Sequence, residues 1–134
     1  MENQNVDKEN KVVSNYITID DFAKVEIKLG TIIEAREVEG SDKLYQLTVD
    51  FGEIQNELVD GQSVARYRNV MSGIRKYRSI EELVGRQFPF VTNLAPRKMM
   101  SVYMSEAMIL AGSDDNNFTL LPTENKLVNG TRLR

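Results

Sequence analysis

The 134-residue chain contains no cysteine, no histidine and no tryptophan. Without cysteine there is no disulfide, no thiolate zinc site and no cysteine nucleophile. Without histidine the chain lacks the usual general base and the commonest transition-metal ligand. No apolar run approaches the ~20 residues of a membrane-spanning helix, and the opening MENQNVDKEN has no apolar signal core. There is no P-loop and no dinucleotide fingerprint. The paired carboxylates Asp20-Asp21 and Glu81-Glu82 stand where the first turn of a helix favours negative charge. These absences predict a cytoplasmic protein that is not an enzyme, holds no metal or cofactor and does not enter a membrane.

What is present is an ordinary globular composition, 41% hydrophobic and 28% charged, with room for one core. The formal net charge of −3 hides an asymmetry. Between Arg66 and Gly112 eight cations (Arg66, Arg68, Arg75, Lys76, Arg78, Arg86, Arg97, Lys98) outnumber three anions, a net +5; between Thr31 and Ala65 the net is −6. A fold that separates these stretches would carry a basic face on an acidic protein.

Periodicity predicts short elements. Residues 1–15 are polar and aperiodic and read as a disordered arm. Thr18, with Asp21 three residues on, caps a short helix through Ala23. EIKLGTIIEAREVE alternates as a strand, with Ile27, Leu29, Thr31, Ile33 and Ala35 inward and Gly30 at a bend or bulge. KLYQLTVDFG follows the turn Glu39–Asp42 and turns Tyr45, Leu47, Val49 and Phe51 inward. Residues 53–66 read as an extended loop with an Asp60-Gly61 turn. YRNVMSGI is a third strand. SIEELVG is a short helix with Ser79 as N-cap, Glu82 at N3 and Gly85 past its end. QFPFVTNL is a fourth strand, in which Pro89 argues for an edge or a bulge, and VYMSEAMILAG a fifth. FTLLP and LVNGTRL supply two further pieces, the second around an Asn129-Gly130 turn. Five strands with a helix between the third and fourth are the element order of an all-β OB-fold barrel.

The stretches DFAKVEIKLGTIIEAREVEGSDKLYQLTVDFGE, VMSGIRKYRSIEELVGRQ, NLAPRKMM and SEAMILAG, in this order from Asp21 to Gly112, resemble the tRNA-binding domain. That family includes the C-terminal domain of methionyl-tRNA synthetase and free-standing tRNA-binding proteins. The resemblance implies an OB-fold domain over residues 16–112 that binds tRNA by shape and backbone. Residues 113–134 are similar to the family's C-terminal extension, which implies a homodimer; a strand pair closing the chain's own barrel is the alternative. An aminoacyl-tRNA synthetase catalytic subunit is the implied protein partner. A secretion-chaperone-like branch of the same fold implies peptide binding instead, and a structural dimer that docks an enzyme is a third reading.

The candidate contacts follow from both sources. Arg97 and Lys98 follow Pro96 and read as a phosphate clamp on a rigid turn. Lys43 lies in the first hairpin loop, where it meets either nucleic acid or its neighbours Glu39 and Asp42. Arg68 adds charge to the strand face, and Asn93 either reaches a base or sugar or caps its own turn. Ser105 and Met108 fall in SEAM. Met99, Met100 and Met104 read as core filler, with Met108 as an apolar rest for a base. Tyr67, Tyr77 and Tyr103 are stacking candidates among which the sequence does not choose. Ser101 and Ala107 stand where the family pattern has glycine, which predicts less clearance for a ligand.

Overall fold

A computed structural model describes residues 15–56, 58 and 60–134; the arm expected over 1–15 lies almost wholly outside them. The chain opens with a helix α1 (Ile19–Ala23), capped reciprocally by Thr18 and Asp21. Two long strands, β1 (Ile27–Glu37) and β2 (Tyr45–Ile54), form an antiparallel hairpin, and β3 (Ala65–Ser72) pairs with β2. A single 3-10 turn over Ile80–Glu82 carries the Ser79/Glu82 capping box and sends the fully buried Leu83 into the core. Then come β4 (Gln87–Val91), β5 (Arg97–Met99), β6 (Tyr103–Ser105), β7 (Met108–Ile109), β8 (Ala111–Ser113), β9 (Phe118–Leu120) and β10 (Arg132–Leu133).

The main sheet runs β3-β2-β1-β4-β7, with β10 also against β1. It curls until β3 meets the β6–β7 segment. The seam is partly backbone, Glu106 N–H to the Asn69 carbonyl at 2.8 Å. The rest is side chain: Met71 N–H to Ser105 Oγ at 3.0 Å and Asn69 N–H to Glu106 Oε1 at 2.9 Å. Side chains thus satisfy donors that an open edge would leave bare. The product is the all-β OB-type barrel anticipated from the element order. Its core is Ile32, Leu47, Val49, Phe51, Val70, Leu83, Phe88 and Phe90 with their neighbours, and Phe51 meets Phe90 edge-on at 5.2 Å.

Five expectations change. Gly30 and Ile32 face the core, opposite Phe88 and Val49, whereas Leu29 and Thr31, though buried, share the other face with exposed Ile33. The register slips between Ile32 and Glu34, so the bulge sits at Ile33 and flips the alternation. Gly30 is not that bulge. It pairs in regular register with Phe88, and a Cβ there would lie 2.6 Å from both Phe51 and Val49, so glycine is needed for close packing.

Residues 53–66 are only partly a loop, because Glu53 and Ile54 pair with Arg66 and Ala65. Pro89 is neither at an edge nor at a bulge. It lies opposite Leu29, whose N–H and carbonyl are used by Thr131 and Gly130 on the other side, so this pair has no ladder bond to lose. The expected fifth strand is broken into β6, β7 and β8.

The C-terminal extension is bound to its own barrel. The buried Gln87 donates to the Leu127 carbonyl and to Asn129 Oδ1, and accepts from Leu127 N–H. Thr31 Oγ1 donates to Asn129 Oδ1 at 2.7 Å. Gly52 (φ 76°) leaves room for the Asn129 carbonyl, which a Cβ would meet at 2.5 Å. β10 then pairs with Ile27 and Lys28 of β1. The alternative of a segment completing its own barrel describes these contacts, and Leu127 and Val128 remain exposed on its outer side.

Candidate nucleic-acid interface

Between β4 and β7 the chain leaves the main sheet as the small hairpin β5–β6, in which Arg97 faces Ser105, Lys98 faces Met104 and Met99 faces Tyr103. Arg97 and Lys98 are therefore strand residues; the turn itself is at Met100 and Ser101, with φ of 50° and 66°. Cross-strand partners share a face and neighbours alternate. Arg97 and Met99 belong to the face of Ser105, whereas Lys98 shares the outer face with Met104. The two cations do not clamp one phosphate from a turn; they stand on opposite sides of a ribbon. Both are exposed, and among the described residues neither has an ion-pair partner.

The inner face closes one side of a cleft of about 190 Å³. Its floor is the end of β3 (Met71, Ser72) and the following Gly73 with Ser105, Ala107 and Ile109, and its rim is Leu94, Arg97, Met99 and Met108. Among the described residues Arg97 is the one charged group that lines it. The β1–β2 loop borders the hairpin tip: a Cβ on Gly40 would lie 3.7 Å from Met100 Cε. Exposed Lys43 belongs to that loop and, among the described residues, has no carboxylate partner, so the alternative pairing with Glu39 or Asp42 does not occur.

Three candidates make contacts within the fold. Arg68 is held by Glu53 at 3.0 and 2.6 Å, and donates through Nη1 to the Thr92 carbonyl at 2.7 Å and the Glu106 carbonyl at 3.2 Å. Its guanidinium also lies 5.3 Å from the Phe51 ring centroid. The hydrogen bond from Arg68 holds the Glu53 carboxyl below the ordinary glutamate range, against the upward push of burial. Arg68 is thus a tie between β2, β3 and the start of the hairpin. Asn93 accepts from Glu26 N–H at 2.8 Å and donates to the Lys24 carbonyl at 2.6 Å, fastening the α1–β1 link rather than capping its own turn. Ser105 Oγ accepts from Met71 N–H and donates to the Ala107 carbonyl. Each of these three side chains is engaged by partners within the fold.

Arg66 joins the same network, at 3.2 Å from Glu53 and 2.7 Å from Glu106. Arg75 pairs with Glu37 at 3.3 Å. Three of the eight cations of this stretch are thus paired, and Lys76, Arg86, Arg97 and Lys98 are exposed cations without an ion pair among the described residues. Nothing local in the sequence signals that Glu53 and Glu106 converge on Arg66 and Arg68. The methionines also differ from expectation. Met100, Met104 and Met108 are exposed and Met99 half-buried, while Met71 is buried.

Ser101 adopts a left-handed backbone at the hairpin turn. Left-handed φ costs an L-residue about 1–2 kcal/mol, part of which glycine gives back as unfolded-chain entropy. Ser101→Gly is expected to raise stability by about 0.5 kcal/mol, measured by urea unfolding. Ala107 is buried in the cleft floor.

Comparisons with known proteins agree on one relationship. The model of a family described as a putative tRNA binding domain matches residues 27–132. The chain is 37% identical over 126 residues to a methionine–tRNA ligase of Caldanaerobacter subterraneus, covering 94% of this chain and 17% of the ligase. Against that of Streptococcus pneumoniae it is 42% identical over 122 residues, again 17% of the relative. The chain thus spans under a fifth of the length of these curated relatives. Among solved structures, a MetRS related protein from Pyrococcus horikoshii superposes with a TM-score of 0.75 at 30% identity, over 90% of this chain and 100% of that one. The chaperone CsaA from Bacillus anthracis gives 0.71 at 25%, over 89% and 99%.

Proposed function

We propose, from the premise that the chain belongs to the putative tRNA binding domain family, that it binds tRNA without catalysing a reaction. The carrying observation is the arrangement of unpaired cations: Arg97 on the rim of an otherwise uncharged cleft, Lys98 on the outer face of the same ribbon, Lys43 on the adjoining loop. Separate cations suit successive phosphates of an RNA backbone, with Met108 (43% exposed) as a soft surface beside them. Its place is the cytoplasm, where it raises the local tRNA concentration for a synthetase catalytic subunit.

The likeness to a protein named as a chaperone supports peptide binding as a second reading, because the cleft lining is mainly apolar. Filter binding of tRNA, single-stranded DNA and an unfolded peptide at two salt concentrations separates the readings. tRNA is expected to be retained best, with log affinity falling linearly in log salt. Preferential retention of the peptide, or salt-independent retention of tRNA, overturns the proposal.

The protein acts as a homodimer through residues 113–134, a reading supported by exposed Leu121, Leu127 and Val128 (80%) on the extension. Val128→Asp makes no cavity and is expected to give a folded monomer by light scattering. An unchanged mass, or a parent that is already monomeric, refutes it.

A further inference from the structure

The link from β3 to the 3-10 turn carries an aromatic surface that the cleft does not use. The Tyr77 ring lies on Phe118 with centroids 4.3 Å apart and planes 8° from parallel. Phe118 is packed against the core by β9, so Tyr77 rests on a fixed support. One face of its ring is covered and the residue is still 52% exposed, which leaves the other face to solvent. On one side of it Lys76 is exposed and, among the described residues, unpaired. On the other, Arg78 donates to the carbonyls of Tyr77 at 2.8 Å and Phe118 at 3.3 Å, with its guanidinium 5.1 Å from the Phe118 ring centroid. The nearby carboxylate of Glu82 is drawn into the capping box at Ser79.

We propose that Tyr77, held flat on Phe118 and flanked by Lys76 and Arg78, is the stacking platform for an unpaired nucleobase of the bound RNA. The inference rests on the RNA-binding reading above and extends its footprint. Gly73 lines the cleft and Tyr77 is four residues further on, a span of about 14 Å at full extension. The ring thus stands within about 14 Å of the cleft floor, a reach of a few nucleotides. Among the sequence's aromatic candidates, Tyr77 is the one whose ring is fixed by a stacked partner, so stacking a base on it freezes little additional freedom. The adjoining cations supply phosphate contact, which an aromatic surface built for an apolar protein partner does not require.

Absence of tryptophan from the chain makes a direct test available. Tyr77→Trp places a single indole at the platform, and its emission is expected to be quenched saturably by bulk tRNA and by a uridine 12-mer. Tyr77→Ala is expected to weaken binding of both by about five- to a hundredfold, with the salt slope unchanged because stacking releases no counterion. Tyr77→Phe is expected to bind like the parent. Unaltered emission at saturating RNA, or Tyr77→Ala binding like the parent, overturns the platform while leaving tRNA binding intact. Quenching by an unfolded peptide and not by RNA also overturns it. A parent that fails to bind tRNA identifies failure of the underlying reading instead.

Discussion

Replacing Arg97 and Lys98 together by alanine is expected to lower tRNA affinity by roughly a hundredfold at low salt and to leave the fold unchanged. Hydrogen bonds to charged groups contribute about 1.5 kcal/mol or more each, so losing two such contacts removes ~3 kcal/mol, about two decades in Kd. The fold is spared because both side chains are exposed and make no ion pair among the described residues. Salt supplies the more specific readout. Each phosphate neutralised adds about 0.7–0.9 to the slope of log affinity against log salt, so the double variant should be flatter by about 1.4–1.8. Their positions on opposite faces of the β5–β6 ribbon make a further demand. Two phosphates are engaged, so each single variant should lose about half of that slope. If the two cations shared one phosphate, the first substitution would remove nearly all of the effect and the second almost none.

That distinction was not visible in the sequence, which put Pro96, Arg97 and Lys98 into one turn. Legibility tracked the range of the interaction that decides each feature. Alternation within β2 and the capping boxes at Thr18 and Ser79 are set by neighbours a few residues apart, and they appear as read. The barrel followed because element order constrains topology strongly. The bulge at Ile33 was hidden because Ile32 and Ile33 are equally apolar, so composition cannot say which one turns inward. The β5–β6 hairpin was hidden because its turn uses Met100 and Ser101 in left-handed φ, where a turn is normally announced by glycine or asparagine. The internal partners of Arg68 and Asn93 were hidden for a different reason. Their partners Glu53, Glu106 and Lys24 lie 15, 38 and 69 residues away in the chain, and no local pattern separates a cation that awaits a phosphate from one already held by a carboxylate. Exposure and pairing, which only the fold supplies, sort the eight cations of the basic stretch.

Arg68→Ala tests that sorting from the opposite side, and its expected effect is on stability. Removing the guanidinium leaves the Glu53 carboxylate without its bidentate partner and takes a donor from the carbonyls of Thr92 and Glu106. Breaking a buried pair costs about 3–5 kcal/mol. Side-chain exposures of 16% and 27%, with Arg66 still near Glu53, place this one toward the lower end. A loss of ~3 kcal/mol should move the urea midpoint down by more than about 1 M at constant m. Arg68→Lys keeps the charge, lacks the planar fork, and should fall between variant and parent. The pH dependence identifies the mechanism. Because the hydrogen bond and charge of Arg68 depress the folded Glu53 pKa, the stabilisation is present above the unfolded glutamate value of about 4.3. It is lost as pH falls through the folded value. The alanine variant keeps only weaker contributions such as that of Arg66, so its deficit should be widest near neutral pH and narrow steadily under acid. A deficit that stays constant with pH would mean that Arg68 acts through its packing on Phe51 and not through Glu53. An unchanged midpoint would return Arg68 to the set of cations available to RNA.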